Sequence, residues 1–66
     1  MGHYTSTYFQ WARGQAMVRN RSMRRARSCK ARGDHEAVRW LVARAREANR
    51  EWRKYRRWDM EYRQLS

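Results

Sequence analysis

Proline is absent from this 66-residue chain, and glycine occurs only three times. Proline breaks helices and glycine weakens them, so their scarcity leaves room for long, uninterrupted helices. No apolar run approaches the roughly 18 residues that a membrane-spanning helix needs, and we expect no integral membrane segment. The single cysteine, Cys29, excludes an internal disulfide and fits a reducing compartment, which favours a cytoplasmic location.

Acidic residues are missing from the first half of the chain. Residues 1–33 contain eight basic residues and no acidic one, whereas residues 34–66 contain nine basic and six acidic residues. Fifteen of the 17 basic residues are arginine, whose planar guanidinium group binds carboxylates and phosphates through two parallel hydrogen bonds. The net charge of +11 therefore predicts an anionic partner.

The residue patterns of catalytic and cofactor sites are missing as well. The sequence has no phosphate-binding glycine loop, no zinc-ligand spacing and no nucleophile, histidine and acid set. A protein of two helices also has no cleft that excludes water from a reaction. We expect a protein without enzymatic activity, cofactor or metal ion.

Gly33 and Asp34 divide the chain into two helices. Glycine adopts the left-handed conformation that ends a helix, and aspartate accepts hydrogen bonds from the first free N–H groups of the next one. These two residues predict helix 1 over about 8–32, a turn at 33–34 and helix 2 over about 35–64, within a single domain spanning 1–66.

Helix 1 is predicted to begin at Thr7, because Thr7 and Gln10 have the spacing of a capping box. Its inner face is alanine-rich and buries little area. The candidate inner residues are Tyr8, Ala12, Ala16, Met23 and Ala26, flanked by Trp11, Gln15 and Val18.

Helix 2 has a clearer apolar stripe, with steps of three and four residues that resemble a coiled-coil seam. The stripe comprises Val38, Leu41, Ala45, Ala48, Trp52, Tyr55, Trp58, Tyr62 and Leu65. Strict repetition would place Asp59 in the seam, so the pattern is interpreted as slipping by one position between Tyr55 and Trp58. Asp59 then forms a surface ion pair with Arg63, four residues later.

The two stripes predict an antiparallel helical hairpin of the all-α class. Small side chains near the turn allow close approach, and aromatic side chains of both helices meet at the open end. Trp40 and Val42 lie beside the main stripe, and a single hairpin would leave too much of Trp40, Val42, Trp52 and Trp58 exposed. We therefore expect a homodimer with a four-helix arrangement.

The acid-free part of helix 1 and the off-stripe tryptophan are the candidate partner-binding residues: Arg19, Arg21, Arg24, Arg25, Arg27 and Trp40. Arginine, tryptophan and tyrosine are enriched at binding hot spots, which favours a small regulatory protein that binds and inhibits or modulates a partner protein through its acidic surface. The alternative is a nucleic-acid-binding protein that sets the arginine-rich helix 1 on the phosphate backbone.

The chain length, the Gly33–Asp34 turn, the arginine bias and the lone Cys29 resemble the small early proteins of bacteriophages. Some of those proteins are two-helix dimers that disable host transcription regulators or pilus ATPases. The resemblance implies a phage-encoded inhibitor of a host transcription regulator, acting in the host cytoplasm. It covers general appearance only and assigns no functional residue.

Overall fold

The computed structural model describes residues 6–65, which form two α-helices joined by a tight turn. Helix α1 spans Thr7–Ala31, and helix α2 spans His35–Leu65. The helices pack side by side along their lengths and form a flat body of 50 × 22 × 11 Å. This architecture confirms the predicted all-α hairpin. The remaining parts of the chain, residues 1–5 and Ser66, lie outside the described residues.

The turn ends α1 with a Schellman motif. Gly33 has a φ of 77°, its N–H donates to the carbonyl of Lys30 at 3.0 Å, and the N–H of Asp34 donates to that of Cys29 at 2.9 Å. The Asp34 carboxylate then accepts a hydrogen bond from the N–H of Ala37 at 3.2 Å, which caps α2. The left-handed glycine and the capping aspartate therefore occur at the predicted positions.

The cap of α1 is Ser6 and not Thr7. Ser6 has extended backbone angles, and its hydroxyl oxygen accepts a hydrogen bond from the N–H of Phe9 at 3.1 Å. Thr7 is the first helical residue, and its side chain is exposed. The expected capping box was wrong by one residue because Ser6 has a second partner, Asp59 of α2, which the local sequence does not reveal.

Small side chains fill the seam between the helices. The buried residues of α1 are Ala12, Ser22, Ala26 and Cys29, and those of α2 are Leu41, Ala45, Ala48 and Asp59. Ala16 and Met23 are only half-buried, and the prediction missed Ser22 and Cys29. The seam of α1 keeps its steps of three and four through the half-buried polar residues Gln15 and Arg19, which a search for apolar residues skips.

The burial of Asp59 shows that the predicted stripe of α2 was wrong at its C-terminal end. The regular spacing does not slip but continues from Tyr55 to Asp59, which is only 5% exposed. Trp58 and Tyr62, assigned from the sequence to the helix seam or a dimer interface, are 39% and 42% exposed in the single hairpin. The carboxylate is accommodated in the seam because it accepts a hydrogen bond from the Ser6 hydroxyl and pairs with Arg63, whose Nε lies 3.2 Å from its Oδ2.

Neither of the two described helices has a stretch long and apolar enough to cross a bilayer.

Candidate partner-binding faces

The seam divides the flat hairpin into two broad faces, each formed by residues that recur three and four positions apart. What we call the arginine face comprises Phe9, Arg13, Ala16 and Met23 of α1 with Val42, Arg46, Asn49, Arg56, Met60 and Arg63 of α2. What we call the tryptophan face comprises Trp11, Gly14, Val18, Arg21 and Arg25 of α1 with Trp40, Arg44, Glu47, Glu51, Lys54, Trp58, Glu61 and Leu65 of α2.

Two grooves follow one another along the arginine face. The groove at the open end has a volume of about 500 Å³, and the groove at the middle of the hairpin has about 580 Å³. Apolar side chains such as Ala12, Met23 and Ala45 line them alongside exposed arginines. The only acidic residue in either lining is Asp59, which is buried and paired. An electropositive rim therefore surrounds an apolar floor.

A cluster centred on Trp52 separates the two grooves. The guanidinium carbon of Arg19 lies 5.1 Å from the centre of the Trp52 ring, and that of Arg56 lies 5.4 Å from it. Arg19 also donates a hydrogen bond from Nη1 to the Asn49 side-chain oxygen at 2.8 Å. Arg19 is therefore committed to the packing between the helices, whereas Arg56 remains exposed.

Arg63 closes the rim at the open end. Its guanidinium carbon lies 5.8 Å from the centre of the Phe9 ring, and its Nε pairs with Asp59. An arginine that stacks its flat face on a ring keeps the N–H groups at its edge directed outward for a carboxylate or phosphate. Phe9 and Trp52 therefore each hold an arginine of this face beside a groove.

Four aromatic rings form a closed cluster at the open end of the tryptophan face. Tyr8 contacts Trp11 and Trp58, and Tyr55 contacts the same two tryptophans, all edge to face with ring centres 5.4–5.7 Å apart. Lys54 Nζ lies 5.0 Å from the centre of the Tyr55 ring. These contacts correspond to the aromatic packing expected at the open end of the hairpin, and they link α1 to α2.

Lys54 also pairs with Glu51, one turn earlier, at 2.5 Å. The hydrogen bond to the Glu51 carboxylate raises the pKa of Lys54 above its ordinary value. The centre of the tryptophan face therefore carries charges of both signs, whereas the rim of the arginine face has no exposed acidic residue.

Arginines surround an exposed tryptophan at the turn end of the tryptophan face. Trp40 is 61% exposed, and the guanidinium carbon of Arg44 lies 5.6 Å from the centre of its ring. Arg21 and Arg25 of α1 line the same small cavity as Trp40 and Arg44. The structure therefore brings together three of the predicted partner-binding residues, Arg21, Arg25 and Trp40.

The other predicted residues are not part of this group. Arg19 belongs to the Trp52 cluster on the opposite face, and Arg24 and Arg27 are exposed elsewhere on α1. Sequence reasoning did not select Arg13, Arg56 and Arg63, because its candidate arginines were taken only from the dense basic run of helix 1 that begins at Arg19. A helical projection of α2 would have separated its arginine row from its acidic row.

No group of metal-ligating side chains occurs among residues 6–65. No protein family, curated protein or solved structure matches the chain.

Proposed function

We propose that the hairpin is a non-enzymatic regulatory protein that binds an acidic, amphipathic helix of a partner protein along the arginine face. The observation that carries this proposal is the combination of an apolar floor with an arginine rim that has no exposed acidic side chain. The partner is defined by this chemistry alone, since the resemblance to phage inhibitors gains no support from the comparisons.

The shape of the arginine face supports a helix as the occupant. Two packed helices leave a groove that a third helix fills with its apolar stripe. The two grooves extend along α2 from Val42 to Arg63, which corresponds to about 32 Å of helix axis or roughly 21 residues of partner helix. Glutamates flanking the apolar stripe of such a helix would meet the arginines of the rim, which fixes its register and speeds association.

Nucleic acid is the second candidate, because the rows that form the arginine face contain basic residues and no exposed acid. A single strand would place its phosphates along the arginines and stack bases on exposed aromatic side chains. Guanidinium groups already lie over both rings of this face, Arg63 over Phe9 and Arg19 with Arg56 over Trp52. The small apolar residues of the floor match aliphatic side chains better than phosphates or bases.

A direct test uses three fluorescent probes at several salt concentrations. The first is a 21-residue helical peptide, so about 32 Å long, with a leucine stripe flanked by glutamates. The second has the same composition with the leucines scattered around the helix, and the third is a single-stranded oligonucleotide. We expect the first peptide to bind about tenfold or more tightly than the second, because only it places leucines on the floor and glutamates on the rim together.

Alanine substitutions at the rim locate the site. Arg56→Ala and Arg13→Ala should weaken peptide binding unequally, one of them by about tenfold or more, because hot spots are unevenly distributed. Arg24→Ala is the matched control, since Arg24 is equally exposed but outside the grooves. Equal binding of both peptides would refute the proposal. Two results together would favour nucleic acid. Alanine at each of the three arginines would weaken binding by a similar amount, and the oligonucleotide affinity would fall more steeply than about the fourth power of salt concentration.

A further inference from the structure

The tryptophan face carries four of the eight large apolar side chains that are exposed among residues 6–65, including all three exposed tryptophans. Trp11, Trp40 and Leu65 are 50%, 61% and 89% exposed, and Trp58 is 39% exposed. A face of 50 × 22 Å offers more area than the roughly 800 Å² per partner that a stable interface buries. Exposed aromatic residues over such an area indicate an interface, and the pattern of charge among them identifies the partner.

One row of α2 on this face is complementary to itself when it is reversed. The row consists of Trp40, Arg44, Glu47, Glu51, Lys54, Trp58, Glu61 and Leu65. We consider a second copy whose α2 lies antiparallel to the first α2, with the two-fold axis level with the midpoint between Glu51 and Lys54. In this register Arg44 of each copy faces Glu61 of the other. Glu51 then faces Lys54. No position in this register faces a residue of like charge.

The apolar members of the row also match in the same register. Trp40 faces Leu65, and Trp58 faces Glu47, whose aliphatic stem covers part of the ring. A two-fold axis repeats every contact. Each of the two contacts of opposite charge and each of the two apolar contacts therefore occurs twice in the dimer.

Helix α1 fits the same arrangement. The contacts of Tyr8 with Trp58 and of Trp11 with Tyr55 place Gly14 at the level of Glu51 and Trp52, near the centre of symmetry. A Cβ atom added to Gly14 would meet nothing within 4 Å in the hairpin, so its own fold does not require glycine there. Glycine lets two helix backbones approach closely where the α1 helices of two copies cross, and Trp11 of one copy then faces Val18 of the other.

We propose that a second copy of this chain covers the tryptophan face, in an antiparallel two-fold dimer that sets the turn end of one hairpin on the open end of the other. The arginine face is unsuitable for self-association, because its exposed charges are all positive and would face one another. The dimer leaves both arginine faces open, so it is independent of the proposed helix binding and presents two such sites on opposite sides.

Charge reversal with exchange of partners tests the register. Sedimentation equilibrium of the unmodified chain should give about twice the chain mass of 8.2 kDa. Arg44→Glu and Glu61→Arg each create two contacts of like charge per dimer and should weaken self-association by about tenfold or more. An equimolar mixture of these two variants should recover the dimer. Positions 44 and 61 are both acidic in the first variant and both basic in the second, so the mixed dimer again pairs opposite charges at both contacts.

Two further variants separate the interface from the fold. Gly14→Leu should retain the full helical content, because the hairpin has space for a side chain there, but it should dissociate the dimer by holding the α1 helices apart. Arg46→Glu on the arginine face is the control and should leave the dimer intact. A monomeric wild-type chain would overturn the proposal. A dimer that tolerates both charge reversals, or a mixture that stays monomeric, would also refute this register.

Discussion

The buried contact between Ser6 and Asp59 leads to the sharpest prediction for stability. The Ser6 hydroxyl accepts a hydrogen bond from the N–H of Phe9 and donates one to the Asp59 carboxylate, so a single oxygen both caps α1 and joins it to α2. The first turn of α1 contains no acidic residue of its own. Asp59 therefore supplies from the other helix the negative charge that stabilises a helix N-terminus.

The expected magnitudes follow from the two roles of Ser6. Ser6→Ala removes a helix cap, which costs about 1 kcal/mol, and it removes the donor to Oδ1 of the buried Asp59 carboxylate, which costs about 1–3 kcal/mol more. Asp59→Ala loses a charged hydrogen bond of about 1.5–3 kcal/mol, whereas its ion pair with Arg63 adds little because the Arg63 side chain is 61% exposed. The double variant removes the shared contact only once. Its loss should be smaller than the sum of the single losses by about 1–2 kcal/mol.

The assay is urea unfolding followed by circular dichroism at one protein concentration, since the proposed dimer would make stability depend on concentration. Thr7→Ala is the control for the cap, and because Thr7 is exposed it should cost less than about 0.5 kcal/mol. A Thr7→Ala loss as large as that of Ser6→Ala would return the cap to the position predicted from the sequence. Additive single losses would show that Ser6 and Asp59 do not interact.

Two further substitutions test the turn and the Trp52 cluster. Asp34→Ala should cost about 0.5–2 kcal/mol through loss of the helix cap. Gly33→Val should destabilise the hairpin more, because a β-branched residue resists the φ of 77°. Equal thermal melts for Gly33→Val and the wild type would contradict the turn geometry. Trp52→Ala should lose up to about 3–5 kcal/mol, the range for a fully buried aromatic, with the lower end expected because Trp52 is half-buried. Arg56→Ala, which removes one of the cations over that ring, should cost about 0.5–1 kcal/mol, and an unchanged unfolding midpoint would argue against the stacking.

The turn was predictable because its determinants are local. Glycine in a left-handed conformation and aspartate at a helix start act through backbone groups within five residues, and both occur at positions 33 and 34. The cap of α1 was not predictable in this way. Ser6 and Thr7 both have hydroxyl groups suited to capping, and the choice between them depends on Asp59, which is 53 positions away from Ser6.

The seam was misread for a related physical reason. An apolar stripe was expected to avoid a carboxylate, so the pattern was shifted to include Trp58 and exclude Asp59. In the structure the regular spacing of three and four residues continues through Asp59, because a one-residue slip would rotate the rest of α2 by about 100° relative to α1. A polar residue at a seam position is tolerated when a partner satisfies it, and both Ser22 and Asp59 occupy such positions.

The candidate partner-binding residues were harder to predict from the sequence than the turn or the seam. The charge density of a segment does not reveal which side of a helix its charges occupy. The predicted arginines of α1 are divided between the two faces, with Arg19 on one and Arg21 and Arg25 on the other. In α2 the same separation places the acids Glu47, Glu51 and Glu61 in a single row. The face on which a candidate binding residue lies is therefore known only when the seam is known.

The thin core connects stability with recognition. No large side chain is fully buried in residues 6–65, and the seam consists mainly of alanine, serine and cysteine with one leucine. Aromatic rings near the surface therefore supply much of the cohesion between the helices, and a separate ring, Trp52, contacts Arg19 and Arg56. Substituting Trp52 would disturb the fold and the arginine face together, so a loss of binding there would be ambiguous. Arg13→Ala on the rim separates the two roles because Arg13 is exposed, whereas Arg56→Ala also removes a contact with the Trp52 ring.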